Sequence, residues 1–247
     1  MRIKAFDGFW QLSFLAGRFP CSVYLVEGDD GLTLIDTGLG LMAFGIFQQA
    51  QKLGPPINRI VLTHAHQDHA GGLDKMTAAR PQLEVVCSER EAALLAGDLT
   101  ARPGESAAAD GKIPGHFTTA FTAPDVLVDD GAAAGPLTAI ATPGHSPGHL
   151  CYWHQPSGAL FAGDAFQTQG GLAVAGDTRW AFPFVTMGTW NKELAVASAR
   201  KVAALPLNYL APTHGDVLAD PGERLGDVID RAEQALSSAE PADEPSL

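Results

Sequence analysis

Between Arg59 and Gly72 the sequence reads RIVLTHAHQDHAGG, which sets His64, His66, Asp68 and His69 within six consecutive positions behind an apolar run. Only eight of the 247 residues are histidine, so this crowding needs a cause. Four unpaired donors at the end of a buried strand are expensive to desolvate unless a cation meets them. His64 and His66 stand two apart; in extended chain they point to one side and can grip one ion. After a turn, Asp68 and His69 can face a second. Three further donors follow strand-like runs in the same way: His145 after LTAIATPG, Asp164 after ALFAG and His214 after NYLAPT. Loops at one end of a sheet come together in space, so all seven donors can converge. A mononuclear site takes about three protein ligands plus water; seven donors suit two ions, with Asp164 free to bridge. Imidazoles and carboxylates without cysteine favour two divalent ions, Zn2+ first, with Mn2+ or Fe2+ as alternatives. The remaining histidines, His116, His149 and His154, read as structural residues, although HSPGH brings His149 near enough to His145 to touch the site from behind.

The rest of the chain must supply strands that end where these donors begin. SVYLVEG and LTLIDTG flank DDG, a hairpin signal. GLMAFGIFQQAQKLG predicts a helix with Leu41, Phe44, Phe47 and Leu53 at apolar spacing and a glycine stop. RIVLT follows as a central strand, GGLDKMTAARP as a helix and LEVVCS as a strand. SEREAALLAGD opens with Ser88 three residues before Glu91, a capping-box signature. Gly97 to Pro124 has no period and reads as either a disordered segment or a functional lid. DVLVDDG, PLTAIATPG, GHLCYWH and GALFAGD restore strand character. The turn-rich Ala165–Thr189 segment carries Phe166, Trp180, Phe182, Phe184 and Met187, which suit either the wall of an apolar pocket or satellite core under a loop. NKELAVASARKVAALP predicts an amphipathic helix, NYLAPTHG a short strand and DPGERLGDVIDRAEQALSSA a closing helix. No linker interrupts this order, so residues 1–240 are expected to form one domain, with 241–247 a flexible tail.

Hydrophobic residues at 46% and charged residues at 18% fit a globular chain with a real core. A net charge of −12 without any Lys/Arg cluster argues against nucleic acid as partner. Cys21, Cys87 and Cys151 are odd in number, far apart and set among apolar residues, as buried free thiols in a reducing compartment would be. The N-terminus carries Asp7, Gln11 and Ser13 where a signal peptide needs apolar residues, and no run is long enough to span a bilayer. The expectation is a cytoplasmic protein with a small-molecule substrate and no membrane partner; a homo-oligomer is compatible with it.

Taken together, THAHQDHAGG, TPGHSPGH, LFAGDAF and APTHGD resemble, in order, the ligand motifs of the metallo-β-lactamase superfamily, the first matching its H-x-H-x-D-H signature. LIDTG at Leu34–Gly38 resembles its early acidic motif, and the similarity runs from SVYLVEG to the last helix. The resemblance implies an α+β fold, an αββα sandwich of two mixed sheets packed face to face with helices outside. It implies that His64, His66 and His145 hold one ion and Asp68, His69 and His214 the other, bridged by Asp164. Asp36 would orient the ligand loop from behind, or would simply form the turn before Thr37-Gly38.

The implied reaction is hydrolysis of an ester, thioester, lactone or amide by a hydroxide shared between two cations. Asp68 would be catalytic, relaying a proton to the leaving group. Asp164 stands where true β-lactamases of the superfamily lack a bridging aspartate, which argues against antibiotic hydrolysis. The short acidic C-terminal segment departs from the basic helical extension of glyoxalase II. The nuclease branches need basic surfaces or large insertions, and flavodiiron proteins place glutamate where His66 stands. PGHS-x-GH is shared with the N-acyl homoserine lactonases, but their tyrosine soon after Asp164 is missing; Tyr209 reads as core. The leading expectation is a binuclear hydrolase acting on an ester, thioester or lactone bond of a small neutral or apolar substrate. The alternatives are such a lactonase, a mononuclear iron(II) enzyme resembling the persulfide dioxygenases, and a non-catalytic binding module, against which the full ligand set argues.

Overall fold

The computed structural model describes residues 1–17 and 19–238; the tail expected at 241–247 lies outside the described residues. Apolar alternation and tight turns carry the first strands through a meander: β1 (Arg2–Phe6), β2 (Phe9–Phe14), β3 (Cys21–Gly28) and β4 (Gly31–Ile35), each antiparallel to the last. The DDG signal closes the β3–β4 hairpin, with Gly28 opposite Gly31. Helix α1 (Ala43–Leu53) then returns the chain so that β5 (Ile57–Val61) runs parallel to β4. Helices α2 (Gln67–Ala70) and α3 (Leu73–Ala79) lead to β6 (Glu84–Cys87), and α4 (Glu89–Leu95) precedes β7 (Val126–Leu127), both strands again parallel. These seven strands form one sheet in sequence order.

The second sheet begins with β8 (Ala133–Ala134), β9 (Leu137–Ala141), β10 (Leu150–His154) and β11 (Ala159–Gly163). A short hairpin of β12 (Phe166–Gln167) and β13 (Ala173–Val174), then helices α5 (Phe184–Gly188) and α6 (Lys192–Ala203), separate it from β14 (Tyr209–Pro212) and β15 (Leu218–Ala219). Helix α7 (Gly222–Ser238) closes the described chain, and the sheet order is β15-β14-β11-β10-β9-β8.

Three apolar layers hold this together. Phe9, Tyr24, Val26, Ile35 and Val61 of the first sheet pack between the sheets against Leu137, Leu150, Tyr152 and Phe161 of the second. The opposite face of the first sheet, with Val23, Leu25, Leu34 and Ile60, is covered by Met42, Ile46, Leu73, Met76 and Leu94. The outer face of the second, with Ile140, Leu160 and Leu210, is covered by Val196, Val202, Val228 and Ile229 of α6 and α7. The result is the αββα sandwich that the resemblance implies. The three cysteines are buried and unpaired. Among the described residues no helix is long and apolar enough to cross a membrane.

Two expectations need correction. Of the expected α1 stripe, Phe47 and Leu53 pack partly buried against the core, whereas Leu41 and Phe44 are both 72% exposed, and the buried face runs through Ala43, Ile46, Gln49 and Ala50. Helical spacing alone does not fix which apolar stripe is buried, and packing against the sheet selects the one containing Ile46. The segment from Gly97 to Pro124 is fastened down. Arg90 holds its Glu105 at 2.9 Å and its Thr100 carbonyl at 2.9 Å. Thr118 N–H donates to the Ala65 carbonyl (2.9 Å), and Trp190 Nε1–H donates to the Ser106 carbonyl (2.7 Å).

Strand direction explains where the donors go. β9 and β11 are both antiparallel to β10, and β14 is parallel to β11, so all three end at one edge of the second sheet. β4 and β5 are parallel in the first sheet and likewise end together. Two buried tyrosines lock these edges in register. Tyr24 of the first sheet donates to the Pro212 carbonyl of the second (2.6 Å), and Tyr152 of the second donates to the Leu62 carbonyl of the first (3.0 Å). Either phenylalanine replacement leaves a buried carbonyl without its donor. Tyr24→Phe and Tyr152→Phe are each expected to lower stability by about 1–3 kcal/mol, measured by denaturant unfolding; no loss in either would show that packing alone registers the sheets.

Candidate metal centre

The edge so formed brings together all seven donors picked from the sequence. His64, His66 and His69 lie in the loop and short helix after β5; His145, Asp164 and His214 follow β9, β11 and β14. Three donor groups result: His64, His66 and His145; His64, His69 and Asp164; and Asp68, His69 and His214, with the ligand atoms of each group within 4.8 Å of one another. His66 Nδ1 stands 3.0 Å from His64 Nε2 and 3.0 Å from His145 Nε2. Metal–nitrogen bonds of about 2.0–2.1 Å at tetrahedral angles separate neighbouring nitrogens by about 3.3 Å, so this trio has the spacing of a shared cation. Asp164 faces both halves: Oδ1 is 3.4 Å from His69 Nε2, and Oδ2 is 3.4 Å from both His145 Nε2 and His214 Nε2. His69 Nε2 and Asp164 Oδ1 are buried with no hydrogen-bond partner. Orphaned buried atoms converging in one His/Asp cluster fit a divalent cation.

Every imidazole but His66 is fixed from behind through Nδ1, leaving Nε2 toward the centre. Thr63 Oγ1–H donates to Asp36 Oδ2 (2.8 Å), leaving its oxygen to accept from His64 Nδ1–H (3.1 Å). Thr189 Oγ1–H donates to the Val185 carbonyl (2.8 Å) and accepts from His145 Nδ1–H (3.2 Å). His214 Nδ1–H donates to the Pro20 carbonyl at 2.7 Å. His69 Nδ1–H donates to Asp36 Oδ2 (2.8 Å), while Asp36 Oδ1 accepts from Thr63 N–H (2.8 Å). Asp36 thus does both things the sequence allows: it adopts a left-handed turn conformation (φ 58°) and orients the loop from behind. His149 accepts from the Asp164 backbone N–H (3.2 Å) and pairs with Thr142 Oγ1 (2.8 Å), so it touches the cluster from beneath. Gly163 permits this approach. Its φ is +50°, and a Cβ there would lie 2.7 Å from His149 Nε2 and 2.8 Å from Thr63 Cβ.

Electrostatics divide the cluster. Burial, reinforced by neighbouring imidazoles, holds His64 well below the usual histidine range and lowers His66 to about 4; both are neutral with a lone pair to offer. On the other side burial opposes charge on His214, but the Asp164 and Asp68 carboxylates outweigh it and raise the ring to about 10. Burial likewise works against ionised Asp68, yet His69 and His214 bring it down to about 2. The carboxylate half therefore draws positive charge to itself, and the imidazole half presents lone pairs.

The cluster floors a cleft of about 420 Å³, walled by Phe19, Leu39, Phe184 and Met187, with Gln67 and His116 also lining it. The aromatic segment splits between its two sequence readings. Phe166 and Phe182 are buried core, whereas Phe184 and Met187 are exposed (50% and 77%) at the cleft. His116, read as structural, instead lines the cleft, brought there because the next residue, Phe117, bridges to His66. Phe19 and Leu39 went unnoticed, since nothing local marks a residue whose role depends on strands folded elsewhere. Thr63 had a signal, its place directly before the first histidine. Removing the Asp36 carboxylate frees His69 and Thr63 together. Asp36→Ala is expected to weaken divalent-metal binding by about 10–100-fold, read by chelator competition; unchanged affinity would reduce Asp36 to a turn residue.

Comparison with known proteins agrees with this geometry. The sequence pattern of the metallo-beta-lactamase superfamily matches residues 16–214. YobT of Bacillus subtilis (strain 168) is 43% identical over 235 residues, 95% of this chain and 100% of that protein. The acyl-coenzyme A thioesterase MBLAC2 of Gallus gallus is 31% identical over 175 residues, which cover 63% of this chain and 61% of its own length, less than two thirds. The crystal structure of TTHA1623 in a di-iron-bound form matches with a TM-score of 0.60 and 25% identity, over 87% of this chain and 95% of that one. With a family pattern spanning most of its length and a cluster of histidines and aspartates suited to divalent metal, this chain belongs to the metallo-β-lactamase superfamily, whose members are mostly metal-dependent hydrolases.

Proposed function

We propose that this chain is a binuclear metal-dependent hydrolase of ester, thioester or lactone bonds in small substrates with an apolar acyl part. The observation that carries this reading is the set of donor triads meeting around Asp164 on the floor of an apolar-walled cleft. His64, His66 and His145 would hold one ion and Asp68, His69 and His214 the other, with Asp164 between them. Zinc suits these nitrogen and oxygen donors, as do manganese and iron(II). Ions held there would supply a hydroxide nucleophile near neutral pH and would polarise a carbonyl. The chain's own residues do the remaining work. Phe19, Leu39, Phe184 and Met187 strip water from the acyl group and aim its carbonyl at the floor. Asp68, whose side chain is 22% exposed and lines the cleft, would take up a proton and pass it to the leaving group. The relative named an acyl-coenzyme A thioesterase supports a thioester among the candidate bonds, and the di-iron-bound neighbour supports a two-ion centre. Tyr209 packs edge-on against Phe6 and Phe9 and does not line the cleft, which weighs against the lactonase chemistry that uses a tyrosine there.

Protein purified without added metal is expected to carry about two divalent ions per chain. It should hydrolyse aryl esters or acyl thioesters faster than β-lactams across a panel assayed with each metal. Asp164→Ala should lose metal and reduce kcat/KM by at least about a hundredfold. A single iron per chain with oxygen uptake, or full activity in Asp164→Ala, would sink the proposal. The walls are tested separately. Phe184→Ala and Met187→Ala should each raise KM for a medium-chain acyl substrate by about tenfold while leaving that for the acetyl analogue nearly unchanged; an equal rise for both would place the acyl group elsewhere.

A further inference from the structure

Glu91 is the third residue of α4, and its side chain is fully buried. The sequence SERE predicts a capping box at this point, and half of one forms: Ser88 Oγ accepts from Glu91 N–H (3.2 Å). The reciprocal half does not, because the Glu91 carboxylate turns inward. Its Oε2 accepts from the Ala65 N–H (2.8 Å), between His64 and His66. Its Oε1 accepts from Ser146 Oγ–H (2.6 Å) and from Gly148 N–H (2.9 Å), directly after His145. Ser88 adds a second tie by donating to the Gly148 carbonyl (2.7 Å). The loop is pressed so closely onto α4 that a Cβ on Gly148 would lie 2.6 Å from Ser88 Oγ and 2.7 Å from Arg90 Cβ. Arg90, the adjacent cation, is turned away to Glu105.

We propose that Glu91 is a positioning residue for the metal centre: its carboxylate ties the loop that carries His64 and His66 to the loop that carries His145, and so sets the spacing of that imidazole trio. The proposal rests on the reading that those three histidines share an ion. A buried carboxylate is disfavoured, and burial pushes this one up to about 7 against the hydrogen bonds from Ser146, Ala65 and Gly148. Local capping would leave the carboxylate at the helix start; here it instead collects three donors from two segments distant in sequence. Only a group with two acceptor oxygens can take donors from both sides at once. Glutamine has one acceptor oxygen, and its amide would face at least one of these donors with another donor. The two loops come from different sheets, and the backbone bond between their flanks, from Leu150 N–H to the Thr63 carbonyl (2.9 Å), is at the ends of the loops, five residues from His145. Within the trio a shift of a few tenths of an ångström matters, because the ligands must stay near one bonding distance.

The test uses metal-free full-length protein titrated with cobalt(II) against a competing chelator. In a His214→Ala background, which leaves the imidazole trio, Glu91→Gln should weaken cobalt binding by about 10–100-fold. In a His64→Ala background, which breaks the trio, the same change should alter the remaining affinity by less than about threefold. Ser146→Ala keeps the carboxylate and removes one donor, so in the His214→Ala background it should give an intermediate loss, and it guards against a Glu91 variant that fails to fold. Equal weakening in both backgrounds, in step with a fall in Tm, would overturn the proposal by making Glu91 a purely structural residue; so would unchanged cobalt binding in both Glu91→Gln and Ser146→Ala. If the trio in His214→Ala binds no cobalt while His64→Ala binds as tightly as the parent, the ion reading of the trio itself fails, a result distinct from either of these.

Discussion

The carboxylate of Asp164 sits almost wholly out of water, within 3.4 Å of three imidazole nitrogens from three different loops. Much of the architecture serves to keep it there. A buried carboxylate is tolerable only beside compensating positive charge or hydrogen bonds; here the imidazoles of His214 and His69 supply the charge, while Oδ1 has no hydrogen-bond partner. His149 offers an acceptor to its backbone N–H from beneath, and the glycine before it allows that approach. Its partners are held by a further set of threonines, a proline carbonyl and Asp36, each facing away from the centre. The donor atoms are therefore pre-oriented by groups that hold the rings from behind. An ion arriving there meets ligands whose conformational freedom has already been lost in folding.

That arrangement depends on the two sheets keeping register. Each sheet sends one buried tyrosine hydroxyl across to the backbone that leads into the other sheet's donors. Backbone bonds add to this, from Ser22 N–H to the Thr213 carbonyl (3.0 Å) and from Leu150 N–H to the Thr63 carbonyl (2.9 Å). Apolar packing between the sheets is non-directional and would tolerate some sliding. Directional bonds placed beside the donors remove that freedom where it would matter most. The burial of Phe9 against Phe161, with ring centroids 5.2 Å apart, supplies the adhesion; the tyrosines supply the alignment.

How much of this could be read from the sequence follows from the range of the interactions. The seven donors were legible because each is a polar residue directly behind an apolar run, a local pattern, and strand direction then brings them to one edge. Asp36 was legible as a turn, and its second role was open until Thr63 and His69 were seen to share its oxygens. The apolar stripe of α1 holds for Phe47 and Leu53 but not for Leu41 and Phe44, because spacing alone does not choose between Phe44 and Ile46 and only the sheet does. His116 shows the same limit: its own neighbourhood says loop, and the pairing of Phe117 with His66 makes it part of the cleft. Glu91 is the sharpest case. Its sequence context announces a capping box, and tertiary structure redirects the carboxylate to loops that lie beyond any local window.

A contrast between floor and wall follows from these constraints. The floor is built from buried residues with fixed partners, and most changes there disturb several hydrogen bonds at once. The wall is built differently: Phe184 and Met187 project from a five-residue helix and remain exposed, while Phe19 precedes β3 and touches the wall through Phe182 and Phe184. Such side chains can vary in size with little effect on the fold, since surface substitutions away from buried networks change stability by about half a kcal/mol or less. On the proposed function, chemistry and selectivity would be carried by physically separate parts of the cleft. The part that would select an acyl group is free to change while the part that holds the donors is not, and such a separation would let one fold keep a single reaction type while its substrates differ.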